Sequence, residues 1–236
     1  MAVVTGTAAN DVLLGTSDDD VLNGLIGADK MAGGDGNDVY FVDQAGDVVT
    51  ELADKGLIDR VVTIVSTTLA ANVEFLELVG GALSGTGNNQ ENVLLGNSFD
   101  NKLDGGDASD LLSGGLGKDT LIGGKGDDYL GDTSGQNLLR GGAGDDTLNG
   151  FGGDNAMEGG TGNDRYYVDS AGDQIIEQAG QGIDTVFTAI SFDLSTSAPQ
   201  LEELYLDGSQ ELDGTGNQLA NTIVGNEYEN TIDGRA

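Results

Sequence analysis

The chain has 236 residues and a formal net charge of −32, from 41 Asp plus Glu against nine Lys plus Arg. Such a surface repels a nucleic-acid backbone and an anionic bilayer, which argues against both as partners. Cys and His are absent, which removes disulfides, thiolate and imidazole metal ligands, and the commonest general base.

The opening Met1-Ala2-Val3-Val4-Thr5-Gly6 has neither the basic region nor the long apolar core of a cleavable signal peptide. No run of about 18 apolar residues follows, so no membrane-spanning helix is expected. From Gly6 the chain falls into nonamers. Residues 6–41 make four, 87–167 make nine and 216–233 make two. Residues 114–122 read Gly-Gly-Leu-Gly-Lys-Asp-Thr-Leu-Ile, and 141–149 read Gly-Gly-Ala-Gly-Asp-Asp-Thr-Leu-Asn. Position 1 is Gly except at Asp132, position 6 is always Asp or Asn, and position 8 is always large and apolar. Glycines at 1, 2 and 4 permit positive φ and close backbone approach. Position 8 should point inward from a short strand while 7 and 9 point out. A unit that is half turn and half strand, with a carboxylate among glycines, points to calcium and to a coiled parallel β structure.

Two longer segments separate the nonamer blocks. Val42-Asp43-Gln44-Ala45-Gly46-Asp47 matches Val168-Asp169-Ser170-Ala171-Gly172-Asp173, and Val73–Leu78 parallels Leu201–Leu206. The chain is thus an internal duplication with a period of roughly 126–129 residues. Five segments are expected: 1–41, 42–86, 87–167, 168–215 and 216–236. The longer two are read as wider β coils of one continuous solenoid, the alternative being two β inserts that break the array. Tyr40 and Tyr166 are read as core fillers.

The in-phase nonamers resemble the repeats-in-toxin (RTX) hemolysin-type calcium-binding family, over nearly the whole length once the longer segments are counted. The resemblance implies an all-β, right-handed parallel β-roll (a β-solenoid). Two nonamers, about 18 residues, make one turn of it, and each strand pairs with the one two nonamers later. The resemblance also implies several calcium ions between successive loops, held by position-6 Asp side chains and loop carbonyls. The metal residues are then Asp11, Asp20, Asp29, Asp38, Asp110, Asp119, Asp128, Asp146 and Asp164. Carbonyls are expected from Gly24, Gly27, Gly33, Gly36, Gly105, Gly114, Gly117, Gly123, Gly126, Gly141, Gly144, Gly159 and Gly162.

A calcium between stacked loops wants a carboxylate from each. Asp11/Asp29, Asp20/Asp38, Asp110/Asp128, Asp128/Asp146 and Asp146/Asp164 supply two. Asn92/Asp110, Asn101/Asp119 and Asp119/Asn137 are mixed. Asn137/Asn155, Asn221 and Asn230 offer no position-6 carboxylate, so one edge of the central block should be the metal column and the other partly amide. Asp132 and Asp154 are candidates to compensate. Asp43, Asp47, Asp169 and Asp173 either close the last site of each block or line a solvated turn. Glu51, Asp59, Glu74, Glu177, Asp184 and Glu202 are read as surface carboxylates.

Each nonamer buries one reliable side chain, while like charges stack about 4.8 Å apart. The metal-free chain is therefore expected to be disordered and calcium to fold it. Extracellular calcium modules bind at about 0.1–1 mM, so folding would occur outside the cell, in agreement with the type I secretion that the family resemblance implies. No G-x-S-x-G elbow or phosphate-binding G-x-x-x-x-G-K-[ST] loop is present, and the chain is read as non-enzymatic. The chain begins and ends within nonamers, which suggests end-to-end stacking of copies into a filament or surface layer. The reading is an extracellular, secreted, calcium-binding structural protein that self-assembles and associates with a cell surface, inserting into no membrane; any polysaccharide partner is unknown. The alternative is a secretion and folding module of a larger type I-secreted enzyme or adhesin.

Overall fold

In the computed structural model, residues 1–53 and 58–235 are described. Residues 54–57, inside the first longer segment, and Ala236, read above as part of an unfinished nonamer, lie outside them. The chain is an all-β parallel solenoid of about 13 turns. One face is a 13-stranded parallel sheet running without a break from Val3–Thr5 to Thr222–Val224. The opposite face is divided into three sheets. Val12–Leu14, Lys30–Ala32 and Val48–Thr50 make the first. Seven strands from Thr67–Thr68 to Gln174–Ile176 make the second. Phe192–Asp193, Asp213–Thr215 and Thr231–Asp233 make the third. Both divisions fall inside the longer segments.

Within the nonamer blocks the register is the expected one. Leu103 pairs with Leu121, Leu121 with Leu139, and Leu139 with Met157, each partner lying two nonamers on. The longer segments deviate from it. Val39 pairs with Arg60, 21 residues away, but Arg60 pairs with Phe75 only 15 away, so the two coils together match two ordinary ones. In the duplicate, Arg165 pairs with Thr185, 20 residues on. Each segment therefore opens with one wider coil. A four-residue helical turn, Leu194–Ser197, capped by the Asp193 side chain on the Ser195 N–H, interrupts the second segment, where β coil alone is expected. Pro199 follows its C-cap Ala198 and prevents continuation.

The longer segments also differ from the nonamers in one inward side chain. Position 8 fills the core in the first two nonamer blocks: Leu22, Leu94, Leu103, Leu112, Leu121, Leu130, Leu139, Leu148 and Met157 have no accessible surface. Each such burial contributes about 1.5–3 kcal/mol. The next inward position, two residues on, is the glycine of position 1 in the nonamers. In the longer segments it carries a side chain instead. Val42, Thr63, Leu78, Val168, Thr188 and Leu206 are buried in four-residue strands with two inward faces. It is within these same segments that the second face loses its pairing.

Candidate metal centre

The turn is built on glycine at two positions where nothing else fits. Gly124 and Gly126 adopt φ of +119° and +115°, and a Cβ on either would collide with a carbonyl of the preceding coil, Gly106 O or Ala108 O. Backbones of successive turns thus stack in direct contact. The expected position-4 glycines Gly27, Gly36, Gly117, Gly144 and Gly162 share the positive φ.

Position 6 forms a ladder. Oδ1 of each Asp accepts the N–H of the position-6 residue one coil earlier. Asp110 donates to Asp128 at 2.7 Å, Asp128 to Asp146 at 2.8 Å and Asp146 to Asp164 at 2.8 Å. Asp11 donates to Asp29 at 2.7 Å and Asp20 to Asp38 at 2.7 Å. The bond fixes each carboxylate and turns its other oxygen into the turn. Oδ2 of Asp29, Asp38, Asp110, Asp119, Asp128, Asp132, Asp146 and Asp164 is buried without a hydrogen-bond partner. An unpaired buried carboxylate oxygen costs several kcal/mol unless a cation or proton meets it.

The electrostatics agree. Burial, reinforced by neighbouring carboxylates, raises Asp146 to about 8, Asp110 to about 7, and Asp38, Asp128 and Asp164 to about 6. Position-1 carbonyls face the same space. The bare α-carbon of Gly105 lies between Asp110 Oδ2 and Gly123 O, and that of Gly123 between Asp128 Oδ2 and Gly141 O. Gly24 O and Gly33 O approach Gly6 and Gly15 in the same way. Gly105 O and Gly114 O face Asn92 and Asn101 across Gly87 and Gly96. At Gly159 the neighbours are Asp164 Oδ2 and the Tyr166 hydroxyl. Oxygen-only donors of this kind suit a hard divalent cation such as calcium.

Not every turn is open. Asp11 Oδ2 accepts the N–H and the hydroxyl of Thr7, at 2.6 and 2.8 Å, and Asp20 Oδ2 those of Thr16. The N–H of Ala2, followed by Thr16, holds the Asp20 carboxyl below its usual range against the opposing effect of burial. These two of the expected Asp pairs therefore each contain one carboxylate already satisfied by protein.

The Asn turns close differently. Asn92, Asn101 and Asn221 each accept the N–H of the position-2 Asn of their own turn, at 2.7 Å. The position-2 amides reach into the preceding coil: Asn88 Nδ2 donates to Ala70 O and Val73 O, Asn97 to Ala82 O, Asn217 to Leu201 O, and Asn226 to Gly208 O and Gln210 O. Asn230 Nδ2 donates to Asn226 Oδ1. Asn137 and Asn155 instead stay in the ladder, accepting from Asp119 and Asn137.

Asp132 stands where the repeat has glycine, and its Oδ2 and that of Asp119 would both lie 2.5 Å from a Cβ on Gly114. It brings a second carboxylate to the otherwise Asn-rich edge. Asp154 does not; it is exposed and accepts from Ser170 Oγ. Asp47 and Asp173 take the ladder position, accepting from Asp29 and Asn155 and capping their own turns through the N–H groups of Asp43 and Gln44 and of Asp169 and Ser170.

The expectation of surface carboxylates in the longer segments is corrected. Glu51, Asp59 and Asp184 are buried, and Glu74, Glu177 and Glu202 are half-buried. Asp38 N–H donates to Asp59 Oδ1, Asp59 N–H to Glu74 Oε2, Asp164 N–H to Asp184 Oδ1 and Asp184 N–H to Glu202 Oε2. The ladder runs on through both wide coils. Counting back two residues from the inward Val61, Leu76, Val186 and Leu204 puts these acids at position 6, a signal masked by the irregular coil length. Tyr40 and Tyr166 are fully buried, as core fillers should be, but their hydroxyls also accept from Gly33 and Gly159 N–H and donate to Glu51 and Glu177.

The family model of the RTX calcium-binding nonapeptide repeat matches residues 5–40, 85–121, 95–130, 132–166 and 215–236, more than half of the chain. A comparison with curated proteins finds no match.

Proposed function

Because the chain belongs to the RTX calcium-binding nonapeptide repeat family, we propose that it is a secreted structural module whose β-roll folds on binding several calcium ions outside the cell. One observation carries the reading. Gly-Gly turns place buried, unpartnered Asp Oδ2 atoms in register along stacked coils, and among the described residues no Lys or Arg pairs with them. Calcium would neutralise the column and tie each coil to the next. The chain's own part is to hold the carboxylates through the backbone ladder and to exclude water with the position-8 core. No helix among the described residues is long and apolar enough to cross a membrane.

The test is circular dichroism of the full chain. Excess chelator should abolish the β signal and millimolar calcium restore it. Full β structure retained in chelator at neutral pH would sink the proposal.

Self-assembly is a second reading, supported by the outermost coils. Ile232 occupies the inward position yet is 47% exposed, and Val4 is only half-buried. A coil of a second copy stacking on either end would cover them and pair the open strand edges. Sedimentation velocity in calcium should then show a concentration-dependent shift above the monomer. A monomer throughout would leave the calcium-folded module standing alone.

A further inference from the structure

Each longer segment carries an acid in a position that is glycine in nearly all the nonamers. Glu51 follows Gly33 at the spacing of two nonamers, and Glu177 follows Gly159 at the same spacing. Both extend strands of the second face, Val48–Thr50 and Gln174–Ile176, and turn their carboxylates toward the ladder of the 13-stranded sheet. Asp38, Glu51 and Asp59 then offer one carboxylate oxygen each within 4.8 Å of one another, and all three are buried. Asp164, Glu177 and Asp184 repeat the arrangement.

The surroundings are duplicated as well. Gly33 N–H donates to the Tyr40 hydroxyl at 2.7 Å and Tyr40 donates to Glu51; Gly159 N–H donates to Tyr166 at 2.8 Å and Tyr166 donates to Glu177. The tyrosine thus holds one glutamate oxygen, and the other accepts the N–H of the next residue, Leu52 or Gln178, at 3.1 Å. Asp59 and Asp184 are fixed by the N–H groups of Asp38 and Asp164. A separate observation points to a ligand. Asp38 Oδ2 and Asp164 Oδ2, on residues with no accessible surface, have no hydrogen-bond partner and face this space. Among the described residues no Lys or Arg pairs with any of the six acids.

We propose that Asp38, Glu51 and Asp59, and likewise Asp164, Glu177 and Asp184, form two three-carboxylate calcium sites, distinct in composition from the nonapeptide turns and placed at the end of each nonapeptide run. The assignment rests on the calcium reading above. Three carboxylates give each site a higher formal charge than a turn with two, which favours a divalent cation and tightens binding. The added ligand comes from the opposite sheet, so the ion pins the two faces together where the wide coil would otherwise separate them.

The experiment counts ions. The full-length chain is equilibrated with calcium, and bound metal is measured after dialysis. E51Q/E177Q should bind two fewer calcium ions per chain than the unmodified protein while keeping its calcium-induced β signal. D59N/D184N keeps the Oδ1 acceptor of the ladder and should lose the same two ions, which covers the case in which the glutamine pair fails to fold. Terbium gives an independent readout, because the Tyr40 and Tyr166 rings adjoin the sites. Emission excited through tyrosine should fall in Y40F/Y166F. An unaltered count in whichever carboxylate variant folds, or unaltered terbium emission in Y40F/Y166F, overturns the triads. An unmodified chain that binds no calcium overturns the broader calcium reading instead.

Discussion

The amide N–H of Asp128 donates to Oδ1 of Asp146 across 2.8 Å, and Oδ2 of Asp146 is left buried with no partner. The same side chain is therefore both a structural acceptor and an uncompensated charge. Asp146→Asn separates the two roles, since the amide keeps an acceptor for Asp128 while the charge is lost. The variant should bind fewer calcium ions, at a loss of about 1.4 kcal/mol for each site removed when calcium is ten times its dissociation constant. Chemical unfolding at several calcium concentrations checks this, and a loss that does not vary with calcium would contradict it.

Asn217 tests the turns that lack a position-6 carboxylate. Its amide donates to Ala198 O at 3.3 Å and Leu201 O at 2.7 Å, and the residue is 2% exposed. Asn217→Ala leaves two carbonyls without that donor and should cost about 1–3 kcal/mol. The number of bound ions should stay the same, in contrast to Asp146→Asn. Unfolding at saturating calcium, combined with an ion count, distinguishes the two classes of turn.

Gly124→Ala should be destabilising at any calcium concentration. The substitution places a Cβ on a backbone at φ of +119° and drives it into Gly106 O. Strain at such a φ alone costs about 1–3 kcal/mol, and the collision adds to it. The urea midpoint in saturating calcium should fall, and the neighbouring coils, which share the contact, should lose amide-exchange protection first.

Acid should partly replace calcium. Burial, with help from adjacent carboxylates, raises Asp146 from 3.8 to about 8, Asp110 to about 7, and Asp128 and Asp164 to about 6. Between 3.8 and these values the folded chain binds more protons than the unfolded one. The contribution of these groups to stability is fully present below about pH 4 and is lost as pH rises through 6 to 8. Calcium-stripped protein should accordingly gain β circular-dichroism signal when taken from pH 8 to pH 5. A flat titration would contradict the burial of these carboxylates.

The recurrence of a large apolar residue every nine positions pointed, from sequence alone, to the side chains that fill the core, while the pairing of coils two nonamers apart followed from the resemblance to the RTX repeats. A glycine at the second inward position accompanies that apolar residue through the nonamer blocks, where the register stays at two nonamers. The acids at position 6 were legible for the same reason. Which of their oxygens stay unpaired was not, because that depends on whether a Thr or Asn at position 2 reaches the carboxylate or the preceding coil first. Asp20 and Asp38 sit at the same repeat position, yet Thr16 caps Oδ2 of one while Oδ2 of the other has no partner among the described residues. Glu51 and Asp59 read as solvated acids until coils of unequal length bring them against Asp38 beneath Tyr40. Local chemistry and spacing set the roll and its ladder; burial of the charges was decided by contacts one coil away, which only the stacked structure brings together.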